Sequence, residues 1–149
     1  MPDETTINLK DINIPAKLRD VLEKISIVAR DLSDIISVSP ISGGLDMKVG
    51  KNSDGDGQKA LDIIADEAYV SALISTDVRW YASEEQEEVL AMKAEGSLAL
   101  AIDPLDGSSN INSNVSIGTI FGIYPAKEDA NASFLRKGSD LLAAGYVIF

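Results

Sequence analysis

LALAIDPLDGSSN, Leu98 to Asn110, is an apolar run that ends in two carboxylates, a proline and a Gly-Ser turn. Leu98 to Ile102 read as a short buried strand. Asp103 and Asp106 follow three residues apart, and Gly107, Ser108 and Ser109 close the stretch. Hard carboxylate oxygens suit Mg²⁺, and free N–H groups at a turn or helix start suit phosphate oxygens. A strand end that carries both reads as a metal and phosphate site. DPLDGSS by itself also fits an ordinary Asp-rich turn, and it is the apolar strand before it that favours the site.

Upstream, Val78 to Ser83 reads as a second strand, carrying Trp80 and Tyr81, and it too runs into a carboxylate pair, Glu84 and Glu85. Two strand ends, at Ser83 and Ile102, are therefore expected to deliver acids to the same edge of a sheet. Further acids stand at Asp54, Asp56 and Asp62. Phosphomonoester hydrolysis needs cations to neutralise the transferring oxygens and to acidify an attacking water, so several carboxylates have to converge. Taken alone, SEEQEE (Ser83 to Glu88) reads as a solvated helix start with Ser83 as cap. Asp62, inside an apolar helix face, reads equally well as an exposed polar position.

The residue types that are missing narrow the chemistry. Among 149 residues there is no Cys and no His. Disulfides, thiolate nucleophiles and zinc ribbons are excluded, as are Ser-His-Asp hydrolases. Carboxylates, Lys, hydroxyls and bound cations remain. With 24 acidic against 13 basic residues the net charge is −11, which argues against a nucleic-acid partner. No apolar run approaches the ~18 residues of a membrane span, and the polar N-terminus has no signal-peptide core. A soluble cytoplasmic protein is the default expectation, and a chain this long can bury roughly 68–70% of its unfolded surface in one domain.

The stretch DPLDGSSN, together with SNINSNVSIGTIFGIYP (Ser109 to Pro125) and AAGYVIF (Ala143 to Phe149), resembles the class I fructose-1,6-bisphosphatases, within the Mg²⁺-dependent, Li⁺-sensitive phosphomonoesterase superfamily. The inositol-phosphatase branch has Thr after the Gly, where this chain has Ser108. The resemblance implies hydrolysis of fructose 1,6-bisphosphate to fructose 6-phosphate and phosphate, with Mg²⁺ or Mn²⁺ as cofactor and a sugar bisphosphate as the small-molecule partner. It implies no membrane partner, and a homotetramer or homodimer for the full-length protein. Residue by residue, it makes Glu84, Asp103, Asp106 and the Leu105 carbonyl metal ligands. Glu85 and Asp62 orient and deprotonate the attacking water, and Asp56 lies on a loop that closes over the metals. Asp106, Gly107, Ser108, Ser109 and Asn110 hold the departing phosphate.

The chain departs from the family at Asn112, where many relatives carry Asp, and at Ser97 and Leu98, where mammalian relatives place a Lys-Tyr pair for AMP. IGTIFGIYP also has some likeness to sedoheptulose-1,7-bisphosphatases, so that enzyme or a dual-specificity one is an alternative. A silent metal- or phosphate-binding fragment is another. The resemblance places a further half-chain, with another acidic ligand and most sugar contacts, after Phe149, so these 149 residues read as the N-terminal metal and phosphate domain. The segment Asn52, Asp54, Asp56, Gly57 imitates the start of an EF-hand loop, but position twelve falls on Ile63 instead of Glu.

Along the chain, Leu18, Val21, Leu22, Ile25, Val28, Ala29, Leu32, Ile35 and Ile36 predict a long amphipathic helix from Pro15 to Val38. Residues Ser39 to Gly57 read as a loop. A second helix is expected from about Gln58 to Ser75, with Leu61, Ile64, Ala65, Ala68, Ala72 and Leu73 buried. Glu84 to Glu95 reads as a turn plus a short helix, Val115 to Tyr124 as a strand, and the stretch after Pro125 as a polar loop. Ser139 suits an N-cap, with a last helix through Leu141, Leu142, Gly145, Tyr146 and Phe149. The fold class expected is α/β of the α+β type: a layered sandwich of long helices on a mixed, largely antiparallel sheet, like a sugar-phosphatase N-terminal domain. Exposed apolar surface is expected on the last helix and on the sheet edge where a second half docks.

Overall fold

The computed structural model describes residues 13–38, 54–109 and 116–149. Helix α1 spans Ala16–Val38 and α2 spans Asp54–Leu73. Five strands follow: β1 Val78–Ser83, β2 Leu90–Ala91, β3 Leu98–Asp106, β4 Gly118–Pro125 and β5 Ala143–Ile148. They form one sheet in the order β2-β1-β3-β4-β5. β1 and β3 are parallel, and the other neighbours are antiparallel. This is the mixed α/β architecture expected, with the helices laid on one sheet face. No described helix is long and apolar enough to cross a membrane.

The apolar stripe of α1 explains its placement: Val21, Ile25, Ala29 and Leu32 are fully or almost fully buried, while Ile35 at its far end is exposed. These side chains meet Leu61, Ala65, Tyr69 and Leu73 of α2 and Val78, Tyr81, Leu100 and Ile123 of the sheet in one core. The stripe expected on α2 is partly displaced. Ile64 is 41% exposed, whereas Asp62, Asp66 and Tyr69 are buried. Hydropathy selects the wrong edge here because α2 presents polar side chains to a polar end of the sheet. The helix also begins earlier than expected, at Asp54.

Three further expectations are corrected. Glu84 to Glu95 forms no helix: Ser83 Oγ accepts the Glu85 N–H at 3.2 Å in a tight local turn, and β2 then pairs with β1. The stretch after Pro125 contains a short helix, α3 Ala130–Phe134, capped by Asp129, whose carboxylate accepts the Ala132 N–H at 2.8 Å. The C-terminal stretch is a strand, not a helix. β5 pairs with β4 from Gly118↔Ile148 to Ile123↔Ala143, and its exposure alternates. Gly145 fits there because a Cβ would lie 2.6 Å from the Phe121 ring. The exposed apolar surface expected on a last helix is carried instead by this strand and its neighbour, at Ile120, Tyr146 and Ile148.

Candidate active site

Parallel pairing of β1 with β3 puts Ser83 beside Ile102, so the acids that follow each of these residues lie toward the same end of the sheet. Glu84 donates its N–H to the Ile102 carbonyl at 3.1 Å, which ties the first acidic turn to the root of the second. β3 does not stop at Ile102. Its pairing with β4 steps from Asp103↔Ile120 to Asp106↔Gly118, three residues against two. Such a bulge re-aims side chains. Within it Asp103 accepts the Leu105 N–H at 3.1 Å, and the Leu105 side chain is buried in the core. Gly107 then takes a positive φ of 80°, open to a residue without Cβ, and lets the chain turn sharply into Ser108 and Ser109.

The charges confirm that these segments face one another. Burial raises the Glu85 carboxyl to about 7, helped by a hydrogen bond to Glu84 and by the charges of Asp62, Glu84 and Asp103. Asp62 is raised by burial, against a lowering hydrogen bond from the Ser108 hydroxyl, with the Glu84 charge adding to the rise. Asp103 is raised by burial, opposed by the Leu105 N–H and reinforced by Glu84, Asp106 and Asp62. Asp62 thus reaches across from α2 to both turns, and its Oδ1 is buried without a hydrogen-bond partner among the described residues.

Glu84, Glu85, Asp62, Asp103, Asp106 and Ser108 are therefore brought together, with Gly107 and Ser109 on the adjoining turn. The Asp56 side chain and Asn110 lie outside the described residues. Among the described residues no three acidic side chains are already gathered tightly enough to hold a metal ion. Mutual repulsion between un-neutralised carboxylates works against such a cage. The donor set nonetheless fits a hard divalent cation. It is all oxygen, with neither thiolate nor imidazole in the chain, and the orphaned Asp62 Oδ1 is an acceptor awaiting a partner.

Two residues beside the site, Asp66 and Tyr146, are not among those the sequence motifs marked. Asp66, four residues after Asp62, is buried and accepts from Tyr81 Oη at 2.8 Å and from Gln86 Nε2. Its i+4 spacing from Asp62 was the one available cue. Tyr146, three strands from β1, reaches Asp106. Burial, that hydrogen bond and the charges of Asp106 and Asp103 all raise its hydroxyl. Only the pairing of β5 with β4 brings it there, so no local pattern marks it.

Residues 6–149 match the N-terminal domain of fructose-1-6-bisphosphatase. A class 1 fructose-1,6-bisphosphatase of Cereibacter sphaeroides is 55% identical over 136 residues, covering 91% of this chain and 41% of the relative. One from Rhodobacter capsulatus is 52% identical over 143 residues, covering 96% of this chain and 43% of the relative. The chain thus spans about two fifths of the length of these curated relatives. Among solved structures, Leishmania major fructose-1,6-bisphosphatase in holo form superposes with a TM-score of 0.74 at 29% identity, over 92% of this chain and 44% of that one. Its apo form gives a TM-score of 0.70 at 27% identity. An acidic strand-end site, a shared backbone and more than half the residues in common with close relatives lead to one assignment: the chain belongs to the fructose-1,6-bisphosphatase family and corresponds to its N-terminal domain.

Proposed function

We propose that this chain forms the metal and phosphate half of an enzyme that hydrolyses fructose 1,6-bisphosphate to fructose 6-phosphate and phosphate. The observation that carries this reading is the parallel register Ser83↔Ile102, which sets the Glu84–Glu85 turn beside the Asp103–Ser109 turn under Asp62. Glu84, Asp103, Asp106 and the Leu105 carbonyl are the residues that would hold Mg²⁺ or Mn²⁺. When bound, such ions neutralise phosphoryl oxygens and favour ionisation of the attacking water.

The chain's own residues would do the rest. Glu85 is a carboxylate whose proton affinity lies near neutrality, the range in which a general base is most effective, and it would take the proton of the attacking water. Asp62 has one buried oxygen free to accept from that water and its other interaction with Ser108 to hold the phosphate turn in place. Gly107, Ser108 and Ser109 offer N–H and hydroxyl groups to the departing phosphate. Asp56, at the start of α2, would close the site against solvent.

A second part of the proposal concerns the opposite sheet face. Ala82, Ala101, Gly122 and Ala144 lie side by side across four strands and floor an open groove of about 470 Å³. Ile120, Tyr146 and Ile148 stand exposed beside it. We assign this face to the part of a relative-length polypeptide that this chain does not span, which would also supply the remaining sugar contacts. The test is Mg²⁺-dependent phosphate release from fructose 1,6-bisphosphate by the full-length gene product and by Asp106→Asn. Release that requires Mg²⁺ and disappears in the variant supports the reading, and absence of release from the full-length protein sinks it. Comparison with sedoheptulose 1,7-bisphosphate separates the two sugar substrates.

A further inference from the structure

Among the described side chains of helix α2, Asp62, Asp66 and Tyr69 are buried and polar and stand at i, i+4 and i+7, the spacing of a single helical face. Asp62 belongs to the site. The other two reach the two acidic turns through side chains that take no part in the chemistry above. Tyr69 is fully buried, and its hydroxyl lies 2.7 Å from Thr119 Oγ1. Thr119, also fully buried, donates to the Pro104 carbonyl at 3.0 Å. A threonine hydroxyl has a single proton, and here Pro104 receives it, so Tyr69 is the donor to Thr119. Pro104 sits inside the bulge between Asp103 and Asp106. On the other side, Asp66 accepts from Gln86 Nε2, the residue after Glu84 and Glu85, while Tyr81 steadies it with a 2.8 Å hydrogen bond.

We propose that Asp66 and Tyr69 are positioning residues: α2 sets the spacing of the two acidic turns, Tyr69 through Thr119 and Pro104, and Asp66 through Gln86. The inference rests on the phosphatase reading and adds to it the residues that hold the carboxylates in place. The need for them is electrostatic. Asp62, Glu84, Glu85, Asp103 and Asp106 repel one another before any cation binds, and mobile turns would relax apart. Tyr69, a buried neutral donor, resists that relaxation without adding charge, and Asp66 resists it by accepting hydrogen bonds from Gln86 and Tyr81. Burial keeps the Tyr69 hydroxyl protonated, pushed up to about 12 despite the Thr119 hydrogen bond. Residues that orient metal ligands from behind are worth about tenfold to a hundredfold in metal affinity or activity.

The experiment compares Thr119→Val, Thr119→Ser, Tyr69→Phe and Gln86→Met in the full-length gene product, reading Mn²⁺ affinity by calorimetry together with kcat and KM. Val21→Ala, on α1, serves as a stability control. Thr119→Val is expected to weaken Mn²⁺ binding or kcat by about tenfold to a hundredfold, with KM for the sugar bisphosphate near that of the unaltered protein. Tyr69→Phe should cost less, because the Thr119–Pro104 bond survives, and Thr119→Ser should restore both quantities. Gln86→Met should lower kcat through the other turn. Val21→Ala should lower the melting temperature alone. Unaltered Mn²⁺ affinity and kcat in folded Thr119→Val overturns the proposal while leaving the phosphatase reading intact. Failure of the unaltered full-length protein to bind Mn²⁺ or release phosphate overturns both.

Discussion

Glu84 and Ile102 are joined by a 3.1 Å backbone hydrogen bond across two parallel strands, so the residue that opens one acidic turn is anchored to the residue that precedes the other. That bond, with the Ser83↔Ile102 register, fixes which carboxylates share a site. Displacement of either strand by one residue would turn its side chains to the opposite face.

Glu85→Gln removes the proposed proton acceptor while keeping its size and hydrogen-bonding reach. In the full-length protein kcat should fall by about 10²–10⁴, with KM changed far less. Steady-state phosphate release measures both, and a variant that loses KM but keeps kcat would assign Glu85 to binding.

The same residue shapes the pH dependence of the metal-free chain. Glu85 is raised in the fold from an ordinary 4.5 to about 7. Between these values the folded state holds more proton than the unfolded state, so stability falls as pH rises through that window. Its penalty is absent below about 4.5 and complete above about 7, reduced in size by the solvent that still reaches the group. Urea midpoints at pH 5 and pH 8 should differ in that sense, and Glu85→Gln should narrow the difference. A stability that rises across the window would contradict the assignment.

Asp77 behaves oppositely. Burial alone would raise its carboxyl, but the Lys17 ammonium at 2.9 Å, the Ser97 hydroxyl and N–H, and Lys93 at 3.3 Å outweigh burial and hold it far below the usual range. A lowered carboxylate stabilises the fold above its ordinary value near 3.9 and loses that contribution as pH falls below it. Asp77→Asn should cost about 1–3 kcal/mol at neutral pH and much less at pH 2, read from denaturant midpoints. The tie links α1 to the start of β1 and the β2–β3 turn.

Gly118→Ala tests the seating of β5. A Cβ at Gly118 would lie 2.0 Å from the Val147 carbonyl oxygen, a backbone atom that cannot swing away. Overpacking costs about 1–3 kcal/mol where side chains can shift, so the loss here should reach or exceed the upper end. Hydrogen exchange should show β5 amides unprotected in the variant while those of β1 and β3 stay slow.

The exposed apolar face yields a solution prediction. This 149-residue polypeptide expressed alone should self-associate through Ile120, Tyr146 and Ile148, and Ile120→Asp with Ile148→Lys should return it to a monomer by light scattering. Association that persists in the double variant would place the contact elsewhere.

Local patterns in the chain determined a good deal. The 3.6-residue stripe of α1, the short apolar runs in β1 and β3, and the acids directly after each run are properties of contiguous residues, because helix and strand periodicity depend on neighbours only. The absence of His and Cys confined the candidate chemistry to oxygen ligands in the same direct way. Where the pattern was ambiguous, tertiary context decided. Leu141 to Phe149 fits helical spacing as well as alternation. The free edge of β4 and the Phe121 ring against Gly145 make it a strand. Ile64 outscores Asp66 and Tyr69 on hydropathy, yet it is exposed and they are buried, since α2 lies over the acidic end of the sheet. The meeting of Asp62 with Ser108, of Tyr69 with Thr119 and Pro104, and of Tyr146 with Asp106 depends on strand order and register. Those contacts join residues far apart in the chain, and only packing brings such residues within hydrogen-bonding distance.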